Sequence, residues 1–126
     1  MREFDTGATR NTSDGKLGFV RALCPLVLER YVKYLDKHRE QADGKFRPFD
    51  NWKKGIPDDV YLDSLGRHFF DVWKDHGKYI HKYRLSGEDV EDSLCAVMFN
   101  AMGLLHNQLL KGAKHEEPKK EDSPVA

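Results

Sequence analysis

The stretch from Ser86 to Leu110 limits the fold more than any other part of the chain. At about 100° per residue, Val90, Leu94, Val97, Met98, Ala101, Leu104 and Leu105 share one broad apolar face. Cys95, Phe99 and Met102 are apolar on the other side. A helix apolar nearly all round is buried on several sides, so this segment is expected to be the central helix. One narrow stripe interrupts it. Ser93, Ala96, Asn100, Gly103 and Asn107 recur at three- and four-residue steps. Small and amide side chains there permit either close helix packing or the wall of a polar pocket. Asn100 must find partners if buried, either on another helix or on a ligand. Ser86 with Asp89 resembles a capping box with the shorter acid. Gly112 follows an expected end at about Leu110.

Two further helices are expected. Pro25 suits a first turn, where its missing N–H costs nothing. Leu28, Tyr31, Val32 and Leu35 then recur at helical spacing, to about Arg39. The next helix begins near Pro57 and runs to about His76, with Gly77 as its stop. Leu62, Leu65, Phe69, Val72 and Trp73 form its apolar stripe. Between these helices, residues 40–56 make a long connection, and loops of that length in small domains are often functional. The expected fold is all-α: about three main helices, a long functional loop, an irregular arm over 1–16 and a flexible charged tail over 111–126. Residues 17–110 then form one helical nucleotide-binding domain.

Bulk properties narrow the function. The 126 residues suit one domain. Lys plus Arg equals Asp plus Glu, at 21 each, so the net charge is zero. That balance argues against bulk nucleic acid as a partner but leaves room for a small basic pocket. No apolar run approaches the roughly 18 residues of a membrane span, and MREFDTGATRN has no apolar core of a signal peptide. Cys24 and Cys95 both sit among apolar neighbours and read as two buried thiols in a reducing compartment, with a disulfide as the alternative. The expected location is cytoplasmic, in the host cytoplasm if the chain is phage-encoded.

Four groups of residues are equipped for chemistry. In TGATRNTSDGK, Arg10 and Lys16 stand between glycines that let backbone N–H groups approach a phosphate. The plain alternative is a turn-rich arm. In FRPFDNWKKG, Phe46, Phe49 and Trp52 alternate with Arg47, Lys53 and Lys54. Aromatic faces stack on bases and cations hold phosphates, while Asn51 can read a base edge. These aromatics can equally pin the loop to the core. On the second helix, Arg67 and His68 stand near Asp63, Asp71 and Asp75. His68 with Asp71 reads as a catalytic pair, or the charges form a solvated ladder. Last, Glu88, Asp89, Glu91 and Asp92 open the third helix. Glu88, Glu91 and Asp92 are expected metal ligands for Mg²⁺ or Mn²⁺, although a helix dipole favours acids there without any metal.

Taken in order, GATRNTSDGK, LERYVKYL, NWKKGIP, YLDSLGRHFFD and EDVEDSLCAVMFNAMGLLH resemble the N-terminal domain of phage and prophage dATP/dGTP diphosphohydrolases, over about residues 5–108. The resemblance implies a small helical fold, a deoxynucleoside triphosphate ligand and a divalent metal. The implied reaction releases pyrophosphate and a deoxynucleoside monophosphate. By position it points to Arg10, Lys16, Asn51, Trp52, Lys54, Arg67, His68, Asp71, Glu91, Asp92 and Asn100. Their own chemistry then assigns Arg10, Lys16, Asn51, Trp52, Lys54, Arg67 and Asn100 to the nucleotide, and His68, Asp71, Glu91 and Asp92 to catalysis. Glu88-x-x-Glu91 matches the first half of the metal motif of MazG-like pyrophosphatases. A homo-oligomer is expected, from the aromatic loop and the small-residue stripe. The alternatives are a phage protein that sequesters a nucleotide without chemistry, and a structural helical interaction protein.

Overall fold

Helices carry the architecture, and the computed structural model describes residues 1–78 and 84–116, the side chains of 114–116 excepted. A two-stranded antiparallel sheet, β1 (Arg2–Glu3) with β2 (Thr9–Arg10), pairs Arg2 with Arg10 and Glu3 with Thr9. One short turn of helix, α1 (Phe19–Ala22), buries none of its residues. Three long helices follow: α2 (Pro25–Lys37), α3 (Asp58–His76) and α4 (Val90–Glu116). The chain is thus mainly helical with three main helices, as expected.

Helix boundaries follow local chemistry. Pro25 occupies the first turn of α2, and α2 ends two residues before the expected Arg39. Pro57, in extended conformation, precedes α3, and Gly77 follows it. The left-handed residue after α3 is Lys78, at φ 69°. The cap of α4 is Asp89 rather than Ser86, because the Asp89 carboxylate accepts the Asp92 N–H at 2.8 Å. At its far end α4 continues through Gly112 to Glu116, past the expected stop at Leu110. A glycine inside a helix costs stability but does not end it. Residues 117–126 of the expected tail lie outside the described residues.

Helices α3 and α4 form an antiparallel hairpin. Asn107 near the end of α4 donates to the Ile56 carbonyl at 2.9 Å and to Asp58 at 2.8 Å, and Lys111 pairs with Asp58 at 3.1 Å. At the other end Asp71, fully buried, accepts the backbone N–H groups of Leu85 at 2.7 Å and Ser86 at 2.9 Å, and the Ser86 hydroxyl. Gly103 lets the helices touch: a Cβ there would fall inside the Tyr61 ring. Helix α2 lies across the N-terminal half of α4. Its Tyr31 and Tyr34 join Cys95 and Ala96 in the small core, with Leu35, Met98 and Phe99 packed against them. Arg30 and Lys37 pin α2 to the start of α4 by pairing with Glu91 and Asp92.

The inward rows differ from the expected ones. Of the apolar stripe of α3, Leu62, Phe69 and Trp73 are exposed, while Tyr61 and Asp71 are buried. In α2 the tyrosines go inward and Leu28 and Val32 stay outside. In α4 the small and amide stripe is the buried one, at Ser93, Ala96, Asn100 and Gly103, while Leu94, Ala101 and Leu105 face out. Small residues win the inner position because they let two backbones approach, and their polar atoms find partners at that distance. Cys24 is exposed, not buried as expected, and both cysteines are free thiols.

Candidate functional site

The segment between α2 and α3 is tied into a rigid loop. Glu40 and Phe46 form an isolated antiparallel bridge. Around it, Gln41 N–H donates to the Lys45 carbonyl at 2.8 Å and Arg47 N–H to the Arg39 carbonyl at 2.9 Å. The Arg39 Nε returns a bond to the Arg47 carbonyl at 2.9 Å. Its guanidinium lies 4.4 Å from the Phe49 ring centre, within cation–π range. Asn51–Lys54 then makes a 3₁₀ turn, and Gly55, at φ 111°, takes a conformation that side chains resist. Trp52 is held edge-on against His106 of α4, ring centres 4.8 Å apart.

This loop closes over a pocket of about 250 Å³ between α2, α3 and α4. Phe49, Trp52, Tyr34 and Phe99 give it aromatic walls. Asn51, Ser64 and Asn100 supply uncharged polar groups. Arg39, Arg47, His38 and His68 supply the cationic or ionisable ones. Arg39 is held to Asp36 at 3.0 Å. Arg47 is exposed and makes no ion pair among the described residues, so its charge is available to a ligand. Asn100 Nδ2 donates to the Ala96 carbonyl one turn back at 2.8 Å, which fixes the amide plane.

Glu88 backs this pocket. Its carboxylate stands between two histidines, 3.4 Å from His38 Nε2 on one oxygen and 3.4 Å from His68 Nδ1 on the other. The Tyr34 hydroxyl donates to it at 3.5 Å. Burial first, and the Glu88 charge second, push the Tyr34 phenol well above its ordinary value, so it stays a donor. His68 Nδ1 and the facing Glu88 oxygen are close yet misaligned for a hydrogen bond, which leaves both as buried polar atoms without a partner. Such atoms are uncommon and concentrate where a ligand or a proton is handled.

Of the residues singled out in the sequence, Asn51, Trp52, His68 and Asn100 meet at the pocket. The others do not. Arg10 and Lys16 stay on the exposed arm, where the hydrogen bonds of the hairpin are internal. Lys54 is exposed at the end of the 3₁₀ turn and does not line the pocket. Arg67 is exposed, one residue round α3 from His68 and so turned away from it. Asp71 is not the partner of His68: it is spent on the 84–86 turn, and Glu88 takes its expected place.

The expected metal set is likewise taken up. Glu91 accepts from Arg30 Nε at 2.8 Å, and Asp92 accepts from Arg30 at 2.8 Å and Lys37 at 2.6 Å. Burial alone would raise the Asp92 carboxyl, but those two cations outweigh it and hold it below its ordinary range. Glu88 points the other way, to the histidines. Among the described residues no group of three His, Cys, Asp or Glu side chains is arranged to hold a metal ion. These residues therefore do not fit a Mg²⁺ or Mn²⁺ ion as arranged.

The site also holds residues not singled out in the sequence for this role: Tyr34, His38 and Arg39. Their signal is weak in sequence, since they stand at the end of α2 and meet the loop only through the fold. Comparison of the chain with protein-family models, curated proteins and solved structures returns no match. No helix among the described residues is long and apolar enough to cross a membrane.

Proposed function

We propose that this chain binds a nucleoside triphosphate in the pocket under the 46–56 loop. The observation that carries this reading is the pairing of aromatic walls, Trp52 and Phe49, with an unpaired guanidinium, Arg47, on one rigid loop. Stacked aromatics take a base and Arg forks take phosphate oxygens. A volume of about 250 Å³ is below the roughly 300–1,000 Å³ of most small-molecule pockets. The base and sugar then sit inside, and the phosphates lie toward Arg47. The deoxy-purine preference comes from the sequence resemblance alone. Free thiols at Cys24 and Cys95 suit a reducing, cytoplasmic setting.

Hydrolysis to monophosphate and pyrophosphate is the second reading, and the His68–Glu88 pair favours it. His68 Nδ1 lies 3.4 Å from a Glu88 oxygen without a hydrogen bond between them; a small ring rotation would make that bond and leave Nε2 for a ligand or water, the arrangement of an oriented general base. The test is to incubate the protein with each dNTP and NTP plus Mg²⁺ or Mn²⁺ and separate the products. Monophosphate and pyrophosphate establish hydrolysis. Nucleotide retained after desalting, without product, establishes binding alone. Neither result, with no shift in melting temperature, removes both readings. Trp52→Ala and Arg47→Ala should each weaken nucleotide binding about five- to hundred-fold by titration, while His68→Gln should keep binding and lose turnover.

A further inference from the structure

We propose that Asn100 and Ser64 form the base-reading end of the pocket and select a nucleobase with an exocyclic amino group on the edge remote from its sugar, as in adenine. The assignment deepens the nucleotide reading of this pocket and rests on it. Helices α3 and α4 bring the two residues level. Tyr61 fills the space beside Gly103, and about one turn nearer the start of α3 Asp58 meets Asn107. In that antiparallel register Ser64, one turn on from Tyr61, comes level with Asn100, one turn back from Gly103. Both line the pocket, from neighbouring helices.

One hydrogen bond sets the chemistry of the pair. Asn100 Nδ2 donates to the Ala96 carbonyl at 2.8 Å. A carbonyl only accepts, so the nitrogen of the amide must stand there and the oxygen must stand at the other end. Oδ1 accepts no hydrogen bond from the described residues, although Asn100 is only 5 % exposed. It is nonetheless open to a ligand. Among the described residues, the side-chain atoms that are both unpartnered and sealed from approach belong to His68 and Glu88. A buried amide oxygen without a donor costs stability until something supplies one. Ser64 stands beside it with a hydroxyl that accepts as well as donates.

This end of the pocket therefore calls for N–H groups. A phosphate offers acceptors alone and would set oxygen against oxygen at Asn100, so the phosphates go to Arg47 and the base comes here. An exocyclic amine carries two N–H groups in the plane of the ring, one for Asn100 Oδ1 and one for the Ser64 hydroxyl. A keto oxygen at the same ring position would oppose Asn100. Phe49 and Trp52 take the faces of the base, while Asn100 and Ser64 read its edge.

The experiment is calorimetric titration of the full chain with dATP and with the analogue that carries hydrogen in place of the 6-amino group. dATP is expected to bind about five- to hundred-fold more tightly, because the analogue leaves a buried acceptor unpaired. This comparison needs no variant. In Asn100→Leu, with native far-UV circular dichroism as the check on folding, the two ligands should bind alike. Ser64→Ala, at a half-buried position, should narrow the gap without closing it. Equal binding of the two ligands by the native chain, or a gap left whole by Ser64→Ala or by folded Asn100→Leu, would overturn the base-reading role while nucleotide binding stands. Binding of neither ligand would overturn the nucleotide reading itself, and this assignment with it.

Discussion

Gly103 sets how near α3 and α4 can come. With the Tyr61 ring occupying the space of a Cβ, even one methyl must push the helices apart or drive Tyr61 from its rotamer. Gly103→Ala gains helix propensity of about 1 kcal/mol, yet the clash should dominate, with a net loss of about 1–3 kcal/mol. Urea unfolding measures it, and Tyr61→Ala in the same chain should make Gly103→Ala close to neutral. The identity of a buried acid matters in a similar way. Asp71 reads from sequence as a partner for its helical neighbour His68. In the fold its carboxylate is fully buried and is satisfied by the two backbone N–H groups of the 84–86 turn.

At the scale of elements, the loop between α2 and α3 depends on α4 for its position. Asn107 holds the Ile56 carbonyl and the first residue of α3 with one amide nitrogen. Asn107→Ala should cost about 1–2 kcal/mol of stability. It should also weaken nucleotide binding, because Trp52 and Asn51 ride on the segment it anchors. Calorimetric titration of the variant against the native chain checks this. Equal affinities would mean that the 39–47 staples hold the loop unaided. Helix α2 is attached differently, through Arg30 and Lys37 on Asp92 and Glu91 and through Tyr31 and Tyr34, which lie between those two cations along the helix.

For the whole molecule, acid is the informative stress. Asp71 and Asp92 both have carboxyls held below their ordinary 3.8, against the opposing effect of burial, by hydrogen bonds in Asp71 and by Arg30 and Lys37 in Asp92. A lowered folded-state value means that the unfolded chain takes up protons first. The stabilisation is therefore complete above about pH 5 and is lost as pH falls through about 4 and below. Unfolding free energy should be flat in this respect from pH 7 to 5 and then drop. Asp92→Asn should be less stable at pH 7 and lose less on acidification, as followed by urea unfolding at several pH values.

Much of this protein is legible in its sequence. Pro25, Pro57, Gly77 and the apolar periods place three helices, within two residues at four of their six ends, because capping and propensity act locally. The loop at 46–56 stands out as a candidate site for the same reason: its aromatics and cations are adjacent in the chain. What the tertiary structure decided is which way each helix turns and which acid meets which base. Periodicity reports which side chains of a helix are apolar, and it does not decide which of its rows the core takes. So Leu62, Phe69, Leu94 and Leu105 read as core and lie outside, while the Ser93–Asn107 stripe takes the inner place. Glu88 reaches His38 and His68, and Glu91 and Asp92 reach Arg30, only when three helices far apart in sequence are brought together. Electrostatic pairing depends on distances in space, and the chain fixes those only once it has folded.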